Sequence, residues 1–343
     1  MKDRCNLSFV TLALLCLFTL VSCKSDKLRE HNSSVFTNDA NSTQDLFTIR
    51  YRPKWHTQAQ FAGIYMALEK GFYAQHGLNV QIQELLQSHD ALDSLVAGKT
   101  DIVHLDLLHA LEHCRDSTKI VNIGQITQKN SLLLIGKRSR GINSIEDFKG
   151  KKIGLWRSAS FLISKIFMNK LQIPMKVIDI DWSINLFTQN AVDVINAMHY
   201  NEYHQMLQAG IKEEDLFVVD VAEFGLSIPD EGLYVTPSFY KSHPKECEAF
   251  AKATMDGWLY AFSHINETLD VVLKRMQADN LKANRAHQQW MLEGMKEAIA
   301  PTKEQLGWLK RTDFNLALNA LVEYNNFPRN IRYEEFFPYG VQK

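Results

Sequence analysis

Three short stretches of this chain gather side chains suited to holding a small molecule. Arg52-Pro53-Lys54-Trp55-His56-Thr57-Gln58 places an indole, an imidazole and an amide just ahead of an apolar helical pattern. Trp156-Arg157-Ser158-Ala159-Ser160 repeats the arrangement with an indole and two hydroxyls. His199-Tyr200-Asn201-Glu202-Tyr203-His204 is a run made only of aromatic, imidazole, amide and carboxylate groups. Indole and phenol faces stack on a flat ring. Open N–H groups at a helix start bind polar or anionic atoms, and an amide beside a carboxylate pairs donors with acceptors. Each stretch also fits a plainer reading: a surface loop at 52–58, helix caps at Ser158 and Ser160, and a solvated helix start at 199–204.

The elements around these stretches alternate. Phe47, Ile49 and Tyr51 have the period of a half-buried strand, and Phe61, Ile64, Tyr65, Leu68 and Phe72 fall on one helical face. Gly77 closes a turn, and Val80 and Ile82 begin the next strand. Ser88 is placed to cap a helix through Leu95, and strands are expected over 100–105, 120–123, 131–135, 153–155, 177–180, 191–198, 217–221 and 231–235. In an open α/β sheet, ligands sit beyond the carboxyl ends of strands, which is where all three stretches fall. From Pro237 onward the pattern is helical, with Leu306, Leu309, Phe314, Leu318 and Leu321 marking the last two helices. This helical part is expected to pack back onto the first α/β unit.

The 343 residues are enough for two lobes, and 45% hydrophobic with 22% charged residues is ordinary for a globular protein. A formal net charge of −1 gives no reason to expect nucleic acid or an anionic membrane surface as partner. At the N-terminus, Lys2 and Arg4 precede an apolar run from Leu7 to Val21, followed by Ser22-Cys23. The run of roughly 15 residues is short of the ~20 that span a bilayer. Leu20-Val21-Ser22-Cys23 resembles the lipobox of bacterial lipoproteins, which implies removal of residues 1–22 and lipidation of Cys23. Residues 24–46 are polar and read as a tether. Cys114 and Cys247 are left, as one disulfide or two buried thiols, and no cysteine pair has metal-ligand spacing.

Four ordered stretches carry a family resemblance. They are Gly63-Ile64-Tyr65-Met66-Ala67-Leu68-Glu69-Lys70-Gly71-Phe72-Tyr73 with Gly77-Leu78-Asn79-Val80, Leu95-Val96-Ala97-Gly98-Lys99-Thr100-Asp101, the run from Ile145 to Gly154, and Glu231-Gly232-Leu233-Tyr234-Val235-Thr236-Pro237. Together with the long helix from Phe250 to Ala261, they resemble substrate-binding proteins of the NMT1/THI5-like group. The resemblance implies a type II periplasmic-binding fold, two α/β lobes with mainly parallel sheets and a hinge cleft. Lobe 1 would comprise 47–135 and 233–343, and lobe 2 would comprise 136–232.

Within this group the motifs are most similar to pyrimidine-precursor binders of thiamine salvage, with sulfonate and nitrate binders further off. The implied ligand-binding set is Trp55, His56, Gln58, Asp106, His109, Trp156, Ser158, Ser160, Tyr200, Asn201, Glu202 and Glu231. Trp55, Trp156 and Tyr200 would stack on a ring, and Asn201 and Glu202 would match an aminopyrimidine. The implied partners are a small aminopyrimidine-like ligand, an ABC permease with its ATPase, and the membrane through Cys23. Another small solute, or a membrane receptor that senses the closed protein, is the alternative. The group also holds a pyrimidine synthase that uses a pyridoxal-phosphate lysine four residues before a histidine. His109 fits that histidine, but Leu105 stands at the lysine position and Cys114 replaces a cysteine cluster, so no enzyme, cofactor or metal is expected.

Overall fold

The computed structural model describes residues 46–83, 91–115, 120–156, 160–181, 183–299, 306–328 and 330–341. The proposed signal peptide, Cys23, most of the tether, the Ser88 cap and Ser158 lie outside the described residues. Among the described residues no helix is long and apolar enough to cross a membrane.

Two five-stranded sheets organise the chain. The first holds β1 (Phe47–Arg52), β2 (Leu78–Ile82), β3 (Ile102–Asp106), β4 (Val121–Gln125) and β10 (Glu231–Val235), in the order β2-β1-β3-β10-β4. The second holds β5 (Leu132–Lys137), β6 (Lys152–Trp156), β7 (Lys176–Ile180), β8 (Val194–Met198) and β9 (Leu216–Asp220), in the order β7-β6-β8-β5-β9. This is the type II periplasmic-binding arrangement, and both lobes lie in one compact unit.

The sheets are mainly parallel, as expected, with one antiparallel strand in each. β1 pairs in parallel with β2 and β3, whereas β10 runs antiparallel to both β3 and β4. In the second sheet β5 is likewise antiparallel to β8 and β9. The cause is connectivity. β5 and β10 are the strands by which the chain enters the second lobe and returns to the first, so each enters its sheet from the hinge side. The chain passes between the two sheets over residues 126–131 and 221–230.

Helix Pro244–Ser263 starts with proline at its first position, where the missing N–H costs nothing. Its buried face, including Phe250, Ala253 and Trp258, joins a core with Ile64, Tyr65 and Leu233. Leu306 and Leu309 are not helical. Gly307 bridges to Gln125 instead, and the helix begins at Arg311. Helix Arg311–Asn325 packs against both Leu107–His113 of the first lobe and Ser160–Leu171 of the second, so the C-terminal part does not belong to one lobe alone. Cys114 and Cys247 are buried in separate cores and are not joined in a disulfide.

Candidate functional site

Sheet order brings three distant residues to one point. β1 and β3 are parallel and end at Arg52 and Asp106, while β10 starts at the same edge with Glu231 opposite Asp106. Lys54, two residues beyond β1, therefore lies between two carboxylates: its Nζ is 2.6 Å from Asp106 Oδ1 and 3.0 Å from Glu231 Oε1. Glu231 is fully buried and accepts further hydrogen bonds from His104 Nε2 (2.9 Å), Tyr200 Oη (3.1 Å) and Gln60 Nε2. Gln58 Nε2 donates to Gln60 Oε1 at 2.5 Å, and His104 Nδ1 is 3.0 Å from Tyr51 Oη.

The electrostatics follow from this crowding. Burial alone pushes the Glu231 carboxyl up, but Lys54 and His104 outweigh it and hold it well below the usual carboxylate range. Burial likewise works against the Lys54 charge, and Asp106 and Glu231 overcome it, raising the ammonium above its ordinary value. Asp230, beside them, goes the other way: burial first and then the Asp106 charge push it well up.

The second lobe supplies the facing wall. Trp156 ends β6, donates from Nε1 to Asn196 O at 2.9 Å, and meets Trp55 of the first lobe edge to face, ring centroids 6.0 Å apart at 87°. β8 leads into a wide π turn, His199–Tyr203. The turn wraps the Glu202 carboxylate: Met198 N donates to Oε2 (2.7 Å) and Asn201 Nδ2 to Oε1 (2.8 Å). Burial raises Glu202 to about 7, against the pull of the Met198 and Glu202 backbone amides and of Lys54. The same turn drives Tyr200 into the first lobe's core, past Gly294, where an added Cβ would lie 2.7 Å from Tyr200 Cβ.

Of the residues singled out from sequence, Gln58, Asp106, Tyr200 and Glu231 are joined directly or through Gln60 and Lys54. Trp55 and Trp156 touch, with His56 beside Trp55 at 5.8 Å, and Asn201 is bonded to Glu202. Tyr200 is 2% exposed, so its ring is packed in the core and its hydroxyl reaches the carboxylate. His109 lies half-buried on helix Leu107–His113, three residues past Asp106. Ser160 begins helix Ser160–Leu171. Sequence reading gives Lys54 no role within its stretch and does not single out Gln60, His104, Asp230 or His287. The first four are positioned only by the sheet order, and His287 by a helix remote in sequence. Among the described residues no cluster of three or more His, Cys, Asp or Glu is placed to hold a metal ion.

The profile of the family described as NMT1/THI5 like matches residues 58–268. The 4-amino-5-hydroxymethyl-2-methylpyrimidine phosphate synthase of Schizosaccharomyces pombe is 26% identical over 106 residues, 31% of this chain and 31% of that protein. The chain thus spans about a third of the length of the first curated relatives it matches. A putative thiamine biosynthesis protein of Haemophilus influenzae is 23% identical over 224 residues, 62% of this chain and 68% of that one. Among solved structures, the periplasmic aliphatic sulphonate binding protein of Escherichia coli superposes with a TM-score of 0.64 at 13% identity, covering 85% of this chain and 97% of that chain. At that identity the likeness is one of fold.

Proposed function

Because the chain belongs to the NMT1/THI5-like family, we propose that it is a lipid-anchored solute-binding protein of an ABC importer. Its lobes close on a small heteroaromatic nutrient, an aminopyrimidine precursor of thiamine. The observation that carries this reading is the buried Asn201–Glu202 pair. A carboxyl poised near 7 gives its proton to a ring nitrogen or accepts from an exocyclic amine. A sulfonate or nitrate would instead meet Glu202 together with the carboxylates of Asp106 and Glu231, with Lys54 already paired. That balance of charge argues against an anion. Trp55 and Trp156 supply aromatic surface for the ring, worth about 0.5–1.5 kcal/mol per good contact beyond area burial.

Binding without catalysis is the simpler use of this cleft. Leu105, at the position where the synthase resemblance calls for a Schiff-base lysine, is a core residue 1% exposed, and Cys114 is buried and not disulfide-bonded. The proposed anchor at Cys23 follows from the lipobox resemblance and accounts for an exported protein held at the membrane.

A thermal-shift series tests the reading. At 100 times its dissociation constant, 4-amino-5-hydroxymethyl-2-methylpyrimidine should stabilise the purified protein by ~2.7 kcal/mol, and sulfonates and nitrate should not. Glu202→Gln keeps the shape but removes the titrating carboxyl, and should weaken binding about tenfold or more, the worth of one hydrogen bond to a charged group. A response confined to anions, or one indifferent to Glu202→Gln, would overturn the ligand assignment.

A further inference from the structure

A small cavity lies where the end of the 221–230 crossover meets the ends of β3 and β8. Its volume is ≈ 20 Å³, somewhat above the roughly 10–15 Å³ that one water-sized group needs. Leu108, Ile163 and Met198 give it apolar walls, and Asp106 and Asp230 are the two titratable residues that line it. Both lobes contribute. Asp106 ends β3 of the first, while Ile163 lies on helix Ser160–Leu171 and Met198 ends β8 of the second. The cavity also adjoins the recognition pair, because Met198 is the residue whose backbone N–H binds Glu202 Oε2.

Most polar atoms around the cavity are already engaged. Asn130 donates from Nδ2 to Ile228 O at 3.0 Å and accepts Leu132 N on Oδ1 at 2.6 Å. Asp106 Oδ1 is taken by Lys54. Asp230 accepts Ser131 N on Oδ2 at 2.9 Å, and its Oδ1 has no hydrogen-bond partner among the described residues although Asp230 is 8% exposed. Lys54 reaches Asp106 and Glu231 but forms no ion pair with Asp230. A buried carboxyl oxygen therefore faces a space that holds one small group, with apolar walls and no cation of its own. Such a space calls for a donor that carries positive charge.

We propose that this cavity is the ammonium subsite of the ligand cleft, with Asp230 receiving a protonated primary amine carried on a methylene arm of the ligand. The inference deepens the functional reading above and rests on it in placing the ring against Asn201 and Glu202. An ammonium has three donors and no acceptor, so it can serve Asp230 Oδ1 and Asp106 from one position. The apolar walls suit the methylene. A hydroxyl brings no charge, an anionic arm would be repelled by Asp106, and an acetylated amine is both uncharged and too large. Burial and then the Asp106 charge favour a proton on Asp230 in the protein by itself. The ligand's ammonium exchanges for that proton and leaves the charge of the cavity unchanged. The ligand class narrows accordingly, to a heteroaromatic ring with an aminomethyl substituent.

The test is calorimetric titration of the purified protein at pH 7 with 4-amino-5-aminomethyl-2-methylpyrimidine, its 5-hydroxymethyl counterpart and its N-acetyl derivative. The amine should bind about tenfold or more tighter than the alcohol, the worth of a hydrogen bond between charged groups. The N-acetyl compound should bind no better than the alcohol. Asp230→Asn keeps an amide oxygen for Ser131 N and turns N–H groups toward the cavity. It should hold the alcohol within about threefold of wild type and lose the preference for the amine. Equal affinity for amine and alcohol in wild type, tight binding of the N-acetyl compound, or a preference that survives Asp230→Asn would overturn the proposal. If Asp230→Asn does not fold, the order of the three compounds on wild type decides alone. If no pyrimidine binds wild type, the ligand reading falls, and thermal shifts with millimolar benzylamine and benzyl alcohol decide the subsite. Stabilisation by the amine alone, lost in Asp230→Asn, sustains it, and an equal response or none defeats it.

Discussion

Lys54→Met should cost the fold about 3–5 kcal/mol at pH 8, the penalty of leaving a buried charge network without one partner. Lys54 is 17% exposed on its side chain and lies within 3.0 Å of carboxylates on β3 and β10. No other lysine or arginine is paired with Glu231 among the ion pairs described, so His104, Gln60 and Tyr200 alone must then hold a fully buried carboxylate. The loss should also depend on pH, and its sign can be worked out. In the wild type, Glu231 is held below its ordinary value, so its contribution is fully present above about 4.5 and fades as pH falls through the depressed value. Without Lys54, the burial that Lys54 had outweighed raises Glu231, and the carboxyl takes a proton as pH falls from 8 to 5. A neutral carboxyl is far cheaper to bury, so the variant should recover part of its deficit at pH 5. Urea unfolding of both proteins at the two pH values measures this. A loss under about 1 kcal/mol, or one equal at both pH values, would mean that Lys54 is effectively a surface lysine.

That residue also shows what a sequence reading can and cannot reach. Strand and helix periods are local, so β1, β2, β3 and the helices between them are visible in the spacing of Phe47, Ile49, Tyr51 and their successors. Strand direction is not local. Nothing within Glu231–Val235 says that it will run antiparallel between β3 and β4, and that pairing alone turns Lys54 from a solvated loop lysine into the counter-ion of Asp106 and Glu231. His104 reads as an ordinary strand residue for the same reason. The run 199–204 was legible because its composition is unusual by itself, and the structure folds it into a π turn that buries Asn201 and Glu202. Tyr200 reads there as a ring for stacking. Its insertion into the other lobe depends on Gly294, which is 94 residues away in sequence.

Gly257→Ala should destabilise the protein by about 3 kcal/mol or more, the upper range for overpacking a core, although helix propensity alone favours alanine over glycine by roughly 1 kcal/mol. The reversal comes from the crossing of helices Ala62–Glu69 and Pro244–Ser263. A Cβ on Gly257 would lie 2.1 Å from the carbonyl oxygen of Gly63 and 2.8 Å from the backbone N of Ala67, atoms that cannot swing aside without unwinding the first helix. Gly63 is fitted in return against Trp258, where an added Cβ would lie 2.3 Å from the indole Cγ, and Trp258 is fully buried. At roughly 2–4 °C per kcal/mol in large domains, the melting temperature should fall by about 6 °C or more. Gly294→Ala makes the informative contrast. Its new methyl would also meet an obstacle, but that obstacle is Tyr200 from the opposite lobe. The lobes can yield by parting, so this variant should keep a near-native melting temperature while losing aminopyrimidine affinity about tenfold or more. Calorimetry and ligand titration on the two variants separate a clash within a lobe from a clash at closure. If Gly294→Ala bound as well as wild type, docking of Tyr200 into the first lobe would be no requirement for capture. If Gly257→Ala melted at the wild-type temperature, the helices would have room to slide, and the glycine crossing would not fix the first lobe's core.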